Sequence, residues 1–276
     1  MRGIFREHTG GVNVGIRACA QRLTGRARHK GSLALVIALM AVLSSGLATP
    51  ARATTVSIHD IQGATHRSTL ENTTVTNVAG IVTALSPTGS RGFYMQESAP
   101  DGDPSTSEGI FVFTNAAPTV HVGDSVLVSG RVTEFRSGGS ASTNLTLTEL
   151  TGPLTITVLS SGNALPPATI IGNGGRIPPA TVIEDDAAGD VETSGTFDPA
   201  TDGIEFYESL EGMRVQVNNA VAVGPRNSFG EIPVLGDDGA NGGVRTTRGG
   251  IVIQATDFNP ERVILDDVLL ATRTQT

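Results

Sequence analysis

The chain of 276 residues has no tryptophan, a single cysteine at Cys19 and a single lysine at Lys30. One cysteine excludes an intrachain disulfide framework and a cysteine-built metal site. The missing lysines leave arginine as the only permanent cation after residue 30. Histidine is equally scarce, with only His59, His66 and His121 beyond residue 53. Metal-assisted or general acid–base hydrolysis needs converging carboxylates and a group to handle protons. Three isolated histidines, each beside a turn or lead-in, read as structural or solvated groups rather than as such a centre. No Gly-x-Ser-x-Gly turn presents a nucleophilic serine. The longest apolar run, Leu33–Leu43, has 11 residues, whereas a spanning helix needs roughly 20.

That run belongs to an expected export signal covering residues 1–53. A basic stretch (Arg2, Arg6, Arg17, Arg22, Arg26, Arg28, Lys30) precedes it, and Ala51-Arg-Ala53 supplies a small–x–small cleavage pattern. The expectation is a secreted, extracellular product with no membrane association after cleavage. Twin arginines are absent, which favours general secretion. Eight of the 19 cations and one of the 27 carboxylates lie in residues 1–53. The remainder therefore carries 11 arginines against 26 carboxylates, a formal charge of −15. Such a body repels polyphosphate at long range, so nucleic-acid binding would need a local arginine cluster, stacking or a bound cation.

What is abundant is Gly, Pro, Thr and Val, the composition of short strands and many turns. Strands are expected at 73–85, 92–97, 109–114 and 126–135, then 145–150 and 154–159. Gly80 and Gly130 fall where a barrel strand would bend. In the third strand Ile110 and Val112 oppose Phe111 and Phe113, so both faces are expected to be covered. No stretch of ten residues or more shows helical periodicity. The fold class expected is all-β: a small OB-like five-stranded barrel followed by a second, partial β-module. Residues 54–162 make the barrel, and 163–202 a Pro/Gly-rich and acidic linker. Residues 203–276 make the partial module, with a last strand at 263–265. Leu70-Glu71 and Leu210-Glu211 each stand five residues before a Val-rich strand, a faint parallel between the two parts.

Two groups of residues stand out as candidate sites. Asp101, Asp103 and Glu108 place alternating carboxylates on a Gly-containing loop, a pattern able to hold Ca2+. The plainer reading is an Asp-Gly turn between strands. For nucleic acid, aromatic faces and arginines are the useful types. Arg91, Tyr94 and Arg131 are the residues expected on an exposed barrel face, single-stranded nucleic acid being the partner they would suit. Against this, most of the few aromatic rings in the chain are expected to be core.

The segments Asp103-Pro-Ser-Thr-Ser-Glu-Gly-Ile-Phe-Val-Phe113, Val122-Gly-Asp-Ser-Val-Leu-Val-Ser-Gly-Arg-Val-Thr-Glu-Phe135, Phe206-Tyr-Glu-Ser-Leu-Glu-Gly-Met-Arg214 and Phe229-Gly-Glu-Ile232 resemble the N-terminal region of large secreted bacterial nucleases. Those proteins are of the endonuclease/exonuclease/phosphatase family. The resemblance covers roughly residues 55–268. It implies an OB-like front module, with metal-dependent phosphodiesterase activity in a later domain. No stretch here matches that catalytic domain, so no catalytic residue is carried over, and the chain is expected to stop short of it. The function expected is a non-catalytic accessory region that binds or positions nucleic acid or docks the phosphodiesterase domain. The alternative is an extracellular surface or matrix interaction module with no nucleic-acid role.

Overall fold

In the computed structural model, residues 56–266 are described apart from 88 and 90, together with Leu269. The expected export signal, residues 1–53, lies outside the described residues. Period-2 alternation builds most of the first part of the chain. In β4 (Ser125–Arg136) Val126, Val128 and Val132 turn inward while Leu127, Ser129 and Arg131 turn out. β1 (Thr74–Ser86) buries Val75, Val78 and Val82, a spacing that requires register slips. At the first slip Asn77 takes φ 56°, and Ser129 Oγ accepts its N–H at 2.9 Å. The backbone group freed by the bulge is thereby satisfied.

β2 (Gly92–Gln96), β3 (Gly109–Phe113) and β5 (Thr146–Ser160) complete a five-stranded set. The order is β1-β2-β3-β5-β4, with β4 returning to β1 and closing the ring. All neighbours are antiparallel except β3 and β5, where Phe111 and Val112 face Glu149 and Leu150 in parallel. This is the OB-like arrangement. The two strands expected at 145–150 and 154–159 are one strand. Its ladder with β4 slips between Ser129 and Arg131, opposite Thr151–Thr155, and then resumes. A Cβ on Gly130 would lie 2.7 Å from Leu154 Cδ2 and 2.8 Å from the Thr151 carbonyl oxygen, so only glycine admits the slip.

The ring interior is apolar, with Val75, Val78, Val82, Phe93, Met95, Ile110, Val112, Val126, Val128, Val132 and Leu150 all buried. Each such burial contributes about 1.5–3 kcal/mol. The expected lead-in at 56–63 is a helix, α1 (Ile58–Gln62), which inserts Ile58 and Ile61 into the same core. A five-residue helix is too short for periodicity to reveal and is held by this packing.

Beyond the ring the elements shorten. β6 (Thr169–Ile171) pairs in parallel with β7 (Val215–Val217). α2 (Gly203–Glu208) packs Phe206, with Leu210 and Ile171, into a small second core. β8 (Val221–Ala222), β9 (Ile232–Leu235) and β10 (Val263–Leu265) form an antiparallel sheet in the order β10-β9-β8. The expected last strand at 263–265 is β10. The second part is thus two small sheets. No described helix is long and apolar enough to cross a membrane.

Candidate functional site

The outer face of β2 and β3 is covered by the segment that follows α2. Gly109 and Gly212 meet there with their backbones in contact. A Cβ on Gly109 would lie 2.3 Å from the Gly212 carbonyl carbon, and one on Gly212 would lie 3.0 Å from Gly109 and Ile110 backbone atoms. Hydrogen bonds fix the approach on either side. The Arg214 N–H donates to Gln96 Oε1 at 2.8 Å, and Ser107 Oγ donates to the Glu211 carbonyl at 2.5 Å. Gln62 Nε2 from α1 donates both to the Gly109 carbonyl and to Glu211 Oε1. Phe111, pointing away from the ring core, is 2% exposed. The expectation that both faces of β3 are covered therefore holds.

A seam of carboxylates runs under this contact. Glu211 Oε1 also accepts the Thr148 N–H at 3.0 Å. Glu134 Oε1 accepts from the Ser68 N–H and Thr148 Oγ1, while Glu134 Oε2 is buried without a partner. Burial, reinforced by Glu134, pushes the Glu149 carboxyl up to about 7. Burial and the neighbouring carboxylates likewise raise Glu208 and Glu211. The seam thus holds protons near neutral pH, because desolvation and like charge both disfavour the ionised form. One carboxylate nearby behaves oppositely. Burial alone would raise Glu192, but the Thr146 N–H and the Arg136 guanidinium outweigh it and hold the carboxyl down. Arg136 Nη2 contacts Glu192 Oε2, and Arg67 Nη1 lies 3.7 Å from the same oxygen.

The candidates for a nucleic-acid face are dispersed. Arg131 pairs with Thr74 at the start of β1, whereas Arg91 precedes Gly92, which pairs with Ser86 at its end. Both arginines are exposed, and Arg131 Nη2 donates to Asn72 Oδ1. Tyr94 is half-buried, its ring 4.8 Å from that of Phe111 at 50°. It borders a cleft walled on the other side by Gly212, Met213, Arg214 and Val215.

The acidic loop is organised by its own backbone. The Asp101 N–H donates to Glu108 Oε1, the Asp103 N–H to Asp101 Oδ1, and the Ser105 N–H to Asp103 Oδ1. Glu108 is brought together with His59 and Glu97, their ligand atoms all within 4.8 Å of one another. His59 Nδ1 is 3.1 Å from Glu97 Oε1 and 3.7 Å from Glu108 Oε2. Burial tends to lower the imidazole pKa, but Glu97, Asp101, Asp60 and Glu108 together raise it. Asp101 and Asp103 are outside that three-ligand group. His59 and Glu97 were not among the sequence candidates, and the only signal for His59 was its place in Ile58–Gln62, where α1 turns it toward β2. A separate group, His66 with Glu184, Asp198, Asp202 and Glu205, gathers where the sequence suggested only an acidic linker and its edge.

Residues 170–276 match a family described as a domain of unknown function (DUF8508), a span that opens in β6 and includes α2 and β7–β10. No curated protein and no solved structure matches the chain.

Proposed function

We propose that the chain is a non-catalytic accessory region of a secreted nuclease, in which the ring serves as a docking platform for the phosphodiesterase domain. The observation that carries this reading is the covered outer face of β2 and β3. In OB barrels that face usually receives oligonucleotides. Here Leu210–Arg214 lies against it, held by the Gly109–Gly212 contact and by Gln62, Gln96 and Ser107. A nucleic-acid strand would have to displace a segment of the chain itself.

The face left open points to a protein surface. β3, β4 and β5 enclose a cleft of about 720 Å3 lined by Phe113, Thr133, Phe135, Glu149, Thr151 and Leu154 among others. Phe135 is 46% exposed, and the lining includes carboxylates but no arginine. An exposed ring in a cleft without a cation suits an apolar partner surface better than a phosphate backbone.

The test is calorimetric titration of the full chain with an isolated phosphodiesterase domain from a secreted nuclease of the resembled family. Micromolar binding is expected, weakened at least about tenfold by Phe135→Ala, the loss of a central aromatic anchor. Absence of binding, or an unaffected variant, would overturn the docking reading. The −15 charge beyond residue 53 favours, as a second reading, an extracellular surface or matrix module with no nuclease partner. A negative titration would assign the chain to that class.

A further inference from the structure

Four carboxylates converge in the segment 184–205, and each turns one oxygen inward with nothing to bond. Glu184 Oε1 accepts the N–H groups of Asp186 and Ala187 at 2.9 and 2.8 Å, leaving Oε2 buried and unpartnered. Asp202 Oδ2 accepts the Asp185 N–H at 3.2 Å, leaving Oδ1. Glu205 Oε1 meets His66 Nε2 at 3.2 Å, leaving Oε2. Asp198 contributes a buried, unpartnered Oδ1. Asp202 and Glu205 are each only 1% exposed. Ligand atoms of Asp198, Asp202 and Glu205 lie within 4.8 Å of one another, and those of His66, Glu184 and Glu205 do likewise.

Among the described residues no arginine forms an ion pair with any of the four, and His66 is the only ion-pair partner. Buried carboxylate oxygens without a donor are rare, and each requires an explanation such as a water or an ion. A cluster of like charges out of water must take up protons or bind a cation. One oxygen of each of Glu184, Asp202 and Glu205 is already oriented by a backbone N–H or an imidazole, so the other is aimed before any ligand arrives.

We infer that Asp198, Asp202 and Glu205, with Glu184 beside them, form a binding site for one Ca2+ ion. The donor set is oxygen-only, of the hard type that Ca2+ takes in numbers of six to eight, with backbone carbonyls and water completing the shell. His66 serves as a positioning residue. It holds Glu205 Oε1 through Nε2, and its ring is fixed edge-on to Phe197 at 5.3 Å. The site shares no residue with the covered ring face, and it stands or falls independently of the docking function.

The experiment uses the full chain, stripped with chelator and titrated with CaCl2 by calorimetry and by thermal melting near neutral pH. One Ca2+ per chain is expected, with a rise in Tm of roughly 5–10 °C at saturation. Glu205→Gln and Asp202→Asn keep the side-chain shape and lessen the crowding of carboxylates, so they should fold and melt no lower than the calcium-free parent. Both should abolish the Tm response. No heat and no Tm shift in the parent, or an undiminished response in both variants, would overturn the assignment. Tighter binding of ZnCl2 than of CaCl2, lost in His66→Asn, would overturn it in favour of an imidazole-ligated metal.

Discussion

At the scale of single residues, two glycines and one glutamate carry the sharpest consequences. The Gly109–Gly212 approach leaves no room for a methyl group, because its carbon would fall 2.3 Å from backbone rather than from a movable side chain. Gly109→Ala is therefore expected to destabilise by at least about 2 kcal/mol in urea denaturation, a typical cost of overpacking. Wild-type stability in that variant would contradict the close contact. Glu149 has a raised carboxyl, at about 7 in the folded state against an ordinary value near 4.5. The folded protein thus binds the proton more tightly than the unfolded chain, so the stabilisation is full below pH 4.5 and lost as pH rises through about 7. By linkage the loss amounts to a few kcal/mol, on the order of 1.4 kcal/mol per pK unit. Glu149→Gln should flatten the fall in stability between pH 5 and 8, as measured by denaturant midpoints.

At the scale of elements, the segment 184–202 is latched to the ring through Glu192. Arg136 on β4 and the Thr146 N–H at the start of β5 both hold this carboxylate, which is 1% exposed. Arg136→Ala leaves it with Arg67 alone as cation, at 3.7 Å. The expected cost is about 2–4 kcal/mol in a denaturant melt, since breaking a buried pair strands the remaining charge. Glu192 is depressed, so its contribution is present above its unfolded pKa and disappears as pH falls through the folded value. Glu192 and Glu149 thus pull stability in opposite directions along the pH scale. The sheets differ in the same way. β7–β10 have two to four residues each, whereas β1, β4 and β5 have 12 to 15. Amides in the short strands should exchange with solvent markedly faster than those in the ring. Equal protection would contradict this.

How much of this was legible in sequence follows from the range of the forces involved. β1–β4 and β10 were readable because alternation and turn residues are local signals. The break expected between 150 and 154 was not a break, because the partner strand accommodates it with Gly130, a cross-strand fact. α1 and α2 were invisible as periodicity, being five and six residues long and shaped by packing. The two carboxylate clusters escaped for a related reason. His59 lies in α1, Glu97 just after β2 and Glu108 just before β3, and His66 meets Glu205 across 139 positions. Spacing on a single loop pointed to Asp101, Asp103 and Glu108 together; of these Glu108 joins His59 and Glu97, while the loop uses the other two carboxylates for its own turns.

At the scale of the whole molecule, a charge of −15 beyond residue 53 and a covered ring face act in the same direction. Long-range repulsion discourages polyanions, and the surface where stacking would occur is taken by Leu210–Arg214. The arginines at 91 and 131 are keyed to opposite ends of β1 and offer no shared grip on one strand of phosphates. The most direct measurement is fluorescence anisotropy of a labelled single-stranded oligonucleotide with the full chain at low salt, with and without CaCl2. No saturable binding is expected, and no difference among the parent, Arg91→Ala, Tyr94→Ala and Arg131→Ala. Saturable, salt-sensitive binding that these substitutions weaken would contradict it and make the ring a nucleic-acid-binding face.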